Sequence, residues 1–221
     1  MATWRQRQAA ETRRQIVRAA RHLFVASGYA GTTVEAIAAE AGVAVATVYK
    51  AFGTKAAIAR ELNDLIDEEA AVVGFAEDIA TQTDPTELIK LTVAQNRSLH
   101  EHCGDIIAAV RSGAAVDATL ADVYREGTQR HDDGMRWVIS KLQAADALPA
   151  GLTTTHAVGL LSTLCSTEAF ADLTTRHGWT IDQCETWTTT ALCQLLLAPP
   201  RLPAEADAAS HNPTRSSSRR Y

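Results

Sequence analysis

The sequence contains few of the residue patterns that catalysis, metal binding or membrane insertion require. Its four cysteines include no C-x-x-C pair, whereas structural zinc sites and disulfide frameworks need closer or more numerous cysteines. It has no glycine-rich phosphate loop and no G-x-S-x-G nucleophile elbow, and no apolar run reaches the roughly 20 residues that cross a bilayer. We therefore expect no cofactor, no metal, no membrane span and no enzymatic activity. The cysteines are interpreted as buried thiols in a reducing cytoplasm.

The N-terminal segment also lacks the apolar core of a signal peptide, which predicts a cytoplasmic protein. It carries positive charge instead. Residues 1–60 contain nine Lys or Arg and three acidic residues, a net charge of +6, in a chain whose total is −5. The remaining residues therefore carry −11. A basic segment joined to an acidic one predicts that the basic segment alone contacts a polyanion.

The hydrophobic pattern predicts an all-α fold. Apolar residues recur every three or four positions, and Ala, Leu, Glu, Arg and Gln are abundant, both of which favour helices. Start and stop signals predict helices at about 9–26, from the cap Thr32-Thr33 to 41, from there to 52, and at 55–80, 84–102, 104–111, 117–145, 154–176 and 181–197. From 199 to 221 the composition turns to Pro, Ala, Ser and Arg, which predicts a disordered tail.

Residues 34–53, VEAIAAEAGVAVATVYKAFG, have the pattern of a helix-turn-helix unit. Two helices that cross steeply need a small residue where their backbones approach and a glycine to reverse the chain. Ala38 and Gly42 supply them. The expected core positions are all apolar: Ile37, Ala41, Val43, Val48 and Ala51. An alanine-rich helical hairpin without a role in DNA binding could reproduce part of this pattern.

The segment GYAGTTVEAIAAEAGVAVATVYKAFGTKAAIAREL resembles the DNA-binding domain of the TetR family of transcriptional repressors. The resemblance covers about residues 10–65 and rests on Phe24, Gly28-Tyr29, Thr32-Thr33, Ala41-Gly42-Val43, Thr47-Val48-Tyr49, Phe52 and Lys55. It implies an N-terminal three-helix helix-turn-helix DNA-binding domain, which we assign to residues 1–54. A C-terminal helical ligand-binding and dimerisation domain would follow at residues 55–198.

The resemblance and the side-chain chemistry assign the same phosphate contacts. Tyr49 and Lys55 are expected to bind backbone phosphates, Lys55 at the start of a helix where free N–H groups also favour an anion. Thr33 is expected to cap its helix and to touch a phosphate. Two alternatives stay open: Tyr49 as a core aromatic, and Lys55 as a merely solvated side chain.

Base recognition is expected from the exposed start of the recognition helix, at Val45, Ala46 and Thr47, with Lys50 one turn further. The family often has a Ser cap and polar residues in this turn, and the apolar residues here depart from that pattern. Apolar side chains contact thymine methyls without a bidentate hydrogen-bond code. We therefore predict that most of the specificity comes from Lys50 bound to guanine, from Thr47, and from arginines of an N-terminal arm in the minor groove.

The acidic part of the chain is expected to dimerise and to bind an effector. By resemblance, the last two helices pack against their symmetry mates as a four-helix bundle, through Leu160, Leu161, Leu164, Phe170, Cys184, Trp187, Thr188, Ala191 and Leu195. The alternative is an ordinary intramolecular core. Gly127 and Gly134, on the packing face of helix 117–145, predict the close approach of a backbone or a ligand. A mostly apolar cavity would take its polar and aromatic contacts from His100, Tyr124, His131, Trp137, Cys165 and Glu168.

These features predict a ligand-responsive transcriptional regulator that binds double-stranded operator DNA as a homodimer and is released by a small-molecule effector. Repression comes from the resemblance alone. The alternative is a helical adaptor of the same fold that has lost DNA binding and acts through protein contacts, which the apolar recognition helix leaves open. Salt-dependent DNA binding separates the two, because phosphate contacts make affinity fall steeply with salt.

Overall fold

The computed structural model describes residues 3–199 as a set of helices, and these residues contain no strand. The helices are α1 (Trp4–Gly31), α2 (Val34–Glu40), α3 (Val45–Phe52), α4 (Lys55–Arg60), α5 (Leu62–Glu69), α6 (Val72–Thr81), α7 (Pro85–Ala114), α8 (Ala118–Ala144), α9 (Thr154–Leu164), α10 (Thr167–Ala171) and α11 (Ile181–Leu196), with a π-helical turn at Asp172–Arg176. The predicted all-α class is confirmed. The predicted tail, from residue 200 onward, lies outside the described residues.

Side-chain caps mark where most of these helices begin. In the capping box of α1, the Thr3 hydroxyl accepts from Gln6 N and Gln6 Oε1 accepts from Thr3 N. At α7, Asp84 Oδ1 accepts from Glu87 N at 2.9 Å and Pro85 occupies the first helical position, as the sequence predicts. Such caps satisfy N–H groups that have no partner within the helix, so local chemistry determines these starts.

The first hydrophobic core is formed mainly by side chains of α1–α5. Ile16, Phe24, Ile37, Val48 and Ile58 are each 3% exposed or less. The same cluster continues into the facing ends of α7 and α8, through Cys103, Ile106, Val110, Leu120 and Val123. The N-terminal helices therefore share their core with two long helices of the remainder instead of packing only on themselves.

The second hydrophobic core lies between α6, the other ends of α7 and α8, and α9–α11. Its largest fully buried side chains include Phe170, Leu88, Ile89, Ile139 and Leu142. Because α7 and α8 contribute to both cores, they connect the N-terminal helices to the C-terminal ones. No helix within residues 3–199 has the length and apolar character of a membrane span.

Two predicted helices are shorter in the structure than the sequence indicates. The segment 55–80 is divided into α4, α5 and α6, and Ala71 between the last two has a left-handed φ of 54°. The segment 154–176 is divided after Leu164, because Cys165 leaves the helical conformation and Ser166 caps α10. The apolar spacing continues across these breaks, so it predicts one helix in each segment where the structure has several.

One predicted interruption is absent, and one helix is longer than expected. Helix α7 runs through Gly104 without a break, because an interior glycine costs only about 1 kcal/mol and buried side chains such as Cys103 and Ile106 hold this turn against α1–α5. Helix α1 extends from Trp4 to Gly31, with non-helical φ and ψ at Gly28, where the sequence predicts the stop.

Candidate nucleic-acid interface

The turn between α2 and α3 has the geometry that the sequence predicts. Gly42 has a φ of 66°, a conformation that glycine adopts without steric cost. Gly42 N donates to Ala39 O at 3.1 Å and Val43 N donates to Ala38 O at 3.0 Å. Ala38 is 1% exposed where the two helices meet. The chain therefore reverses at Gly42 and directs α3 away from α2 as a separate helix.

Helix α3 buries one face and exposes the other. Val48 is 1% exposed in the core, whereas 49% of Tyr49 is exposed. Ala46 and Lys50 are also exposed, and Val45 and Thr47 are half-buried. The four residues predicted to contact bases in the major groove, Val45, Ala46, Thr47 and Lys50, thus belong to one short helix that presents side chains to solvent, which is the geometry a major groove admits.

The first turn of α3 has no side-chain cap. Ala44 is the N-cap residue and offers no side-chain acceptor, and the N–H groups of Thr47 and Val48 are directed to the Ala44 carbonyl. The helices on either side differ, because Thr33 Oγ1 accepts from Ala36 N and Thr54 Oγ1 accepts from Ala57 N, each at 3.1 Å. The cap predicted for Thr33 is confirmed, and its phosphate contact stays a prediction.

Lys55 is bound by the end of α1. Its Nζ donates to Tyr29 O at 2.6 Å and to Thr32 O at 2.8 Å, and it lies 4.2 Å from the centre of the Tyr29 ring. Carbonyl oxygens at a helix C-terminus attract a cation. The ammonium therefore holds the start of α4 against the end of α1. A phosphate contact would have to use the N–H donor that these two carbonyl oxygens leave free.

The N-terminal positive charge is smaller at the surface than the sequence suggests. Arg13, Arg14, Arg18 and Arg21 form ion pairs with acidic residues outside residues 1–60: Glu61, Glu68, Glu69 and Asp105. Within residues 3–199, the cations of this segment without an ion pair are Arg5, Arg7, Lys50, Lys55 and Arg60. The charge available to a polyanion is concentrated in this second set.

The prediction of an N-terminal arm is wrong for the described residues. Arg5 and Arg7 belong to the first turns of α1, which begins at Trp4 behind the capping box of Thr3. Two reciprocal hydrogen bonds stabilise this helical start. Both arginines are exposed, so their charge is available to DNA from a helix and not from an extended segment.

Arg13 is a positioning residue that sequence reasoning missed. Its guanidinium donates to both carboxylate oxygens of Glu61, at 2.9 and 2.5 Å, and to Ala51 O at 2.6 Å, and it lies 4.0 Å from the centre of the Phe52 ring. The hydrogen bond to Glu61 raises the pKa of Arg13. One side chain of α1 thus fixes the C-terminal end of α3. Its partners are so distant in the sequence that no local pattern predicts these contacts.

The predicted effector residues do not form a single group. His100 is on α7, which packs against α10, the helix that contains Glu168, and Cys165 ends α9 just before α10. The His100 ring is 5.9 Å from the Phe170 ring, and burial raises the pKa of the Cys165 thiol to about 12. His131 Nε2, on α8, is 3.4 Å from Ser162 O.

The other two candidates lie apart from this group. Tyr124 packs against the first core, and 37% of Trp137 is exposed. The two glycines of α8 also differ from each other. A Cβ at Gly127 would lie 2.9 Å from Asn63 Oδ1, whereas a Cβ at Gly134 would have no neighbour within 4 Å. The predicted close approach is thus observed at Gly127, where the neighbour is the Asn63 side chain, and is absent at Gly134.

The predicted dimerisation face of α11 is divided in the structure. Cys184 and Thr188 are buried in the second core, so their assignment to an outer face is wrong. Trp187 and Leu195 are 46% and 44% exposed. The rings of Trp179 and Trp187 meet edge to face at 5.8 Å and form an exposed aromatic patch. In the preceding helices, Leu161 and Phe170 are fully buried and Leu160 and Leu164 half-buried.

Comparisons with known proteins agree with this geometry. A family model described as bacterial regulatory proteins, tetR family, matches residues 16–62, which span most of α1, the whole of α2–α4 and the first residue of α5. No curated protein matches the sequence. The matched segment contains Thr33, Val45, Ala46, Thr47, Tyr49, Lys50 and Lys55.

Solved structures extend the likeness to most of the chain. A TetR transcriptional regulator from Chloroflexus aurantiacus J-10-FL is 22% identical over 87% of this chain and 100% of that chain, with a TM-score of 0.68. The regulator FadR from Bacillus subtilis, in complex with stearoyl-CoA, is 18% identical over 80% and 96%, with a TM-score of 0.67. A protein from Saccharomonospora viridis in complex with choline is 20% identical over 86% and 100%, with a TM-score of 0.70.

At these identities the structural likeness establishes the fold, and the family model shows that residues 16–62 are similar to tetR-family regulatory proteins. The helices that the family model matches share a hydrophobic core with α7 and α8 of the remainder of the chain. The chain thus carries the helix-turn-helix domain of the TetR family of bacterial regulatory proteins on the fold that TetR-family regulators share.

Proposed function

We propose that the protein is a ligand-responsive transcriptional repressor that binds operator DNA as a homodimer and is released from it by a small-molecule effector. It acts by binding and not by catalysis, in the cytoplasm with the chromosome. The observation that carries the proposal is the exposed face of α3 behind a turn at Gly42, with Ala46, Tyr49 and Lys50 open to solvent.

The DNA contacts divide by chemistry. Lys50 is a donor for guanine, and Val45, Ala46 and Thr47 provide apolar contact with thymine methyls and one hydroxyl. Thr33, Tyr49 and Lys55 are assigned to phosphates, where they fix the register of the protein on the duplex. The exposed hydroxyl-bearing ring of Tyr49 favours the phosphate role over the alternative of a core aromatic.

The homodimer would use the outer face of α9 and α11. A single recognition helix seldom binds tightly alone, and a two-fold dimer engages two half-sites about one helical turn apart or a multiple of it. The exposed Trp187 and Leu195 and the half-buried Trp179 provide apolar area of the kind that interfaces bury, because aromatic side chains are enriched there.

Release would follow from a change in the spacing of the two recognition helices. Helix α4 packs against both α1 and α8, so a rearrangement of α8 around a ligand reaches the DNA-binding helices. The effector needs to favour the DNA-free state by only about 1–3 kcal/mol. The stearoyl-CoA complex of the Bacillus subtilis regulator and the choline complex of the Saccharomonospora viridis protein support a small-molecule ligand for a protein of this fold.

The test is binding to duplex DNA taken from upstream of the protein's own gene, measured by fluorescence anisotropy over a range of salt concentrations. We expect affinity to fall steeply with salt, because bound phosphates release counterions. Lys50→Ala should lose about 1–3 kcal/mol at a preferred base pair. Lys90→Ala is the matched control, because Lys90 is an exposed lysine of α7 that pairs with Glu87.

Two results would contradict the proposal. Indifference of the protein to duplex DNA at low ionic strength would favour the adaptor, which shares the fold and acts through protein contacts. Unchanged affinity and sequence preference in Lys50→Ala would remove Lys50 from the recognition surface and leave the operator to be read elsewhere.

A further inference from the structure

Three buried polar atoms of α7 and α9 have no hydrogen-bond partner among the described residues: Asn96 Oδ1 and His100 Nδ1 on α7, and Ser162 Oγ on α9. Asn96 and His100 are one turn apart on α7, which packs against α10. Ser162 is in α9, one turn before the junction with α10. A buried polar atom without a partner costs free energy, so such atoms are few in folded proteins. Asn96 and His100 both lie against α10 and the residue that caps it, because Asn96 Nδ2 donates to Ser166 O and the His100 ring lies near the Phe170 ring. Their two unmet atoms indicate a site there.

The orientation of the Asn96 amide is determined by its neighbour. Asn96 Nδ2 donates to Ser166 O at 3.5 Å, and a carbonyl oxygen only accepts. Oδ1 therefore points elsewhere and is an acceptor without a donor. The residue is 4% exposed. A partner for this atom has to donate a hydrogen bond.

Gly104 leaves His100 Nδ1 without a neighbouring side chain on the next turn of α7. A Cβ at residue 104 would lie 3.4 Å from His100 Nδ1, so any larger residue would fill the position next to this nitrogen. Glycine inside a helix is otherwise unfavourable. On another side, the Phe170 ring lies 5.9 Å from the His100 ring and offers an apolar surface. The site thus combines hydrogen-bonding atoms with an aromatic wall.

The charges around the site do not favour an anion. Arg111 pairs with Glu168 at 3.8 Å, and Arg97 is bound by Glu101, Asp182 and Glu185. Among the contacts of the described residues, no lysine or arginine without a carboxylate partner reaches Asn96 or His100. A carboxylate would place acceptor against acceptor at Asn96 Oδ1.

We infer that the effector donates a hydrogen bond to Asn96 Oδ1 through a hydroxyl or an ammonium group, with its apolar part against Phe170. The inference rests on the proposed function and specifies the chemical class of its ligand. His100 Nδ1 makes the second hydrogen bond, as donor or acceptor according to its tautomer. A site with an unmet acceptor selects strongly for ligands that carry the donor.

The ligand test uses three straight-chain series of matched length: primary alcohols, primary alkylammonium ions and alkyl carboxylates. Thermal stability and release from operator DNA are measured for each, because a ligand of the folded state raises the melting temperature. We expect an alcohol or ammonium to bind about tenfold or more tightly than the carboxylate of equal length. Equal or tighter binding of carboxylates, or no binding in any series, would overturn the inference.

The variant test separates a ligand contact from a structural one. Asn96→Leu removes the unmet acceptor, so we expect a higher denaturant midpoint without ligand and loss of the headgroup preference. Asn96→Ala, which adds no volume, should also lose the preference. Thr92→Val is the matched control, because Thr92 lies one turn earlier in α7 and its hydroxyl is already bound to Leu88 O at 2.7 Å. It should keep the preference.

A lower midpoint in Asn96→Leu together with an unchanged headgroup preference in both Asn96 variants would identify Asn96 as a structural residue and overturn the inference. The outcomes are distinguishable from failure of the proposed function. Operator binding by the ligand-free protein tests that function and does not involve Asn96. A protein that binds operator DNA but prefers carboxylates would support the proposed regulatory function and contradict the proposed ligand class.

Discussion

Gly42 and Gly134 illustrate how one residue type has opposite effects on stability at two positions. Gly42 forms the turn before the recognition helix with a φ of 66°, and Gly134 lies inside α8 with open space where a Cβ would be. A left-handed conformation penalises every other side chain, whereas a helix interior favours alanine over glycine. The backbone conformation, and not the available volume, decides the sign at each position.

We expect Gly42→Ala to lower the free energy of unfolding by about 1 kcal/mol and to weaken operator binding. Gly134→Ala should raise it by roughly 0.5–1 kcal/mol and leave binding unchanged. Urea denaturation and anisotropy titration measure both. A Gly42→Ala protein as stable as the parent would mean that the turn tolerates a different conformation from the one described.

At the scale of elements, the orientation of α3 depends on contacts from its neighbours. Arg13 of α1 joins the last turn of α3 to Glu61 at the end of α4 through a bidentate ion pair and a hydrogen bond to Ala51 O. Helix α3 has only eight residues, and a helix of that length is not stable alone. Its position for DNA binding is therefore a property of α1 and α4 as much as of its own sequence.

Replacing Arg13 by methionine keeps an apolar stem against Phe52 and removes the guanidinium. We expect a loss of stability on the order of 1 kcal/mol, since the pair is partly exposed to solvent, and a larger relative loss of operator affinity. Arg14→Met is the control, because the ion pairs of Arg14, with Glu68 at 3.4 Å and Glu11 at 4.0 Å, are longer than that of Arg13, and its side chain is 53% exposed. Equal effects of the two substitutions in both assays would argue against a positioning role for Arg13.

At the scale of the whole molecule, the proposed function depends on the association of two copies. The aromatic patch is formed by Trp187 on α11 and Trp179 just before it, whereas the recognition helix belongs to the N-terminal core. A dimer through this patch would hold two recognition helices at one spacing, and that spacing is what an operator with two half-sites selects.

We expect Trp187→Glu to convert the dimer into a folded monomer with little affinity for operator DNA, because a charge in an apolar interface is unfavourable. Light scattering coupled to size exclusion measures the mass, and circular dichroism checks the fold. Trp137→Glu is the control, since Trp137 is a similarly exposed tryptophan on α8. A Trp187→Glu protein that stays dimeric would place the interface elsewhere.

Local patterns were sufficient to predict the helical class and the helix-turn-helix motif. Gly42 marks the turn, Thr33 caps α2, and the apolar spacing around Ile37 and Val48 predicts which faces are buried. The predictions were weaker in the C-terminal half. Periodicity places Cys184, Thr188 and Trp187 on neighbouring positions of one helix, but the side of α11 that packs inward depends on α7 and α9, which contact it.

The amino-acid order alone accounts for where most helices begin, where the chain reverses at Gly42 and which segment matches a DNA-binding family, because caps, turns and periodicity act within a few residues. Tertiary structure decided the rest. Residues far apart in the chain determine three features of the structure. The α1 arginines pair with distant carboxylates, Lys55 donates to Tyr29 O and Thr32 O, and Asn96 Oδ1 has no donor. Charge and hydrogen bonding act through space, so only the folded arrangement determines which of these groups remain available to DNA or to a ligand.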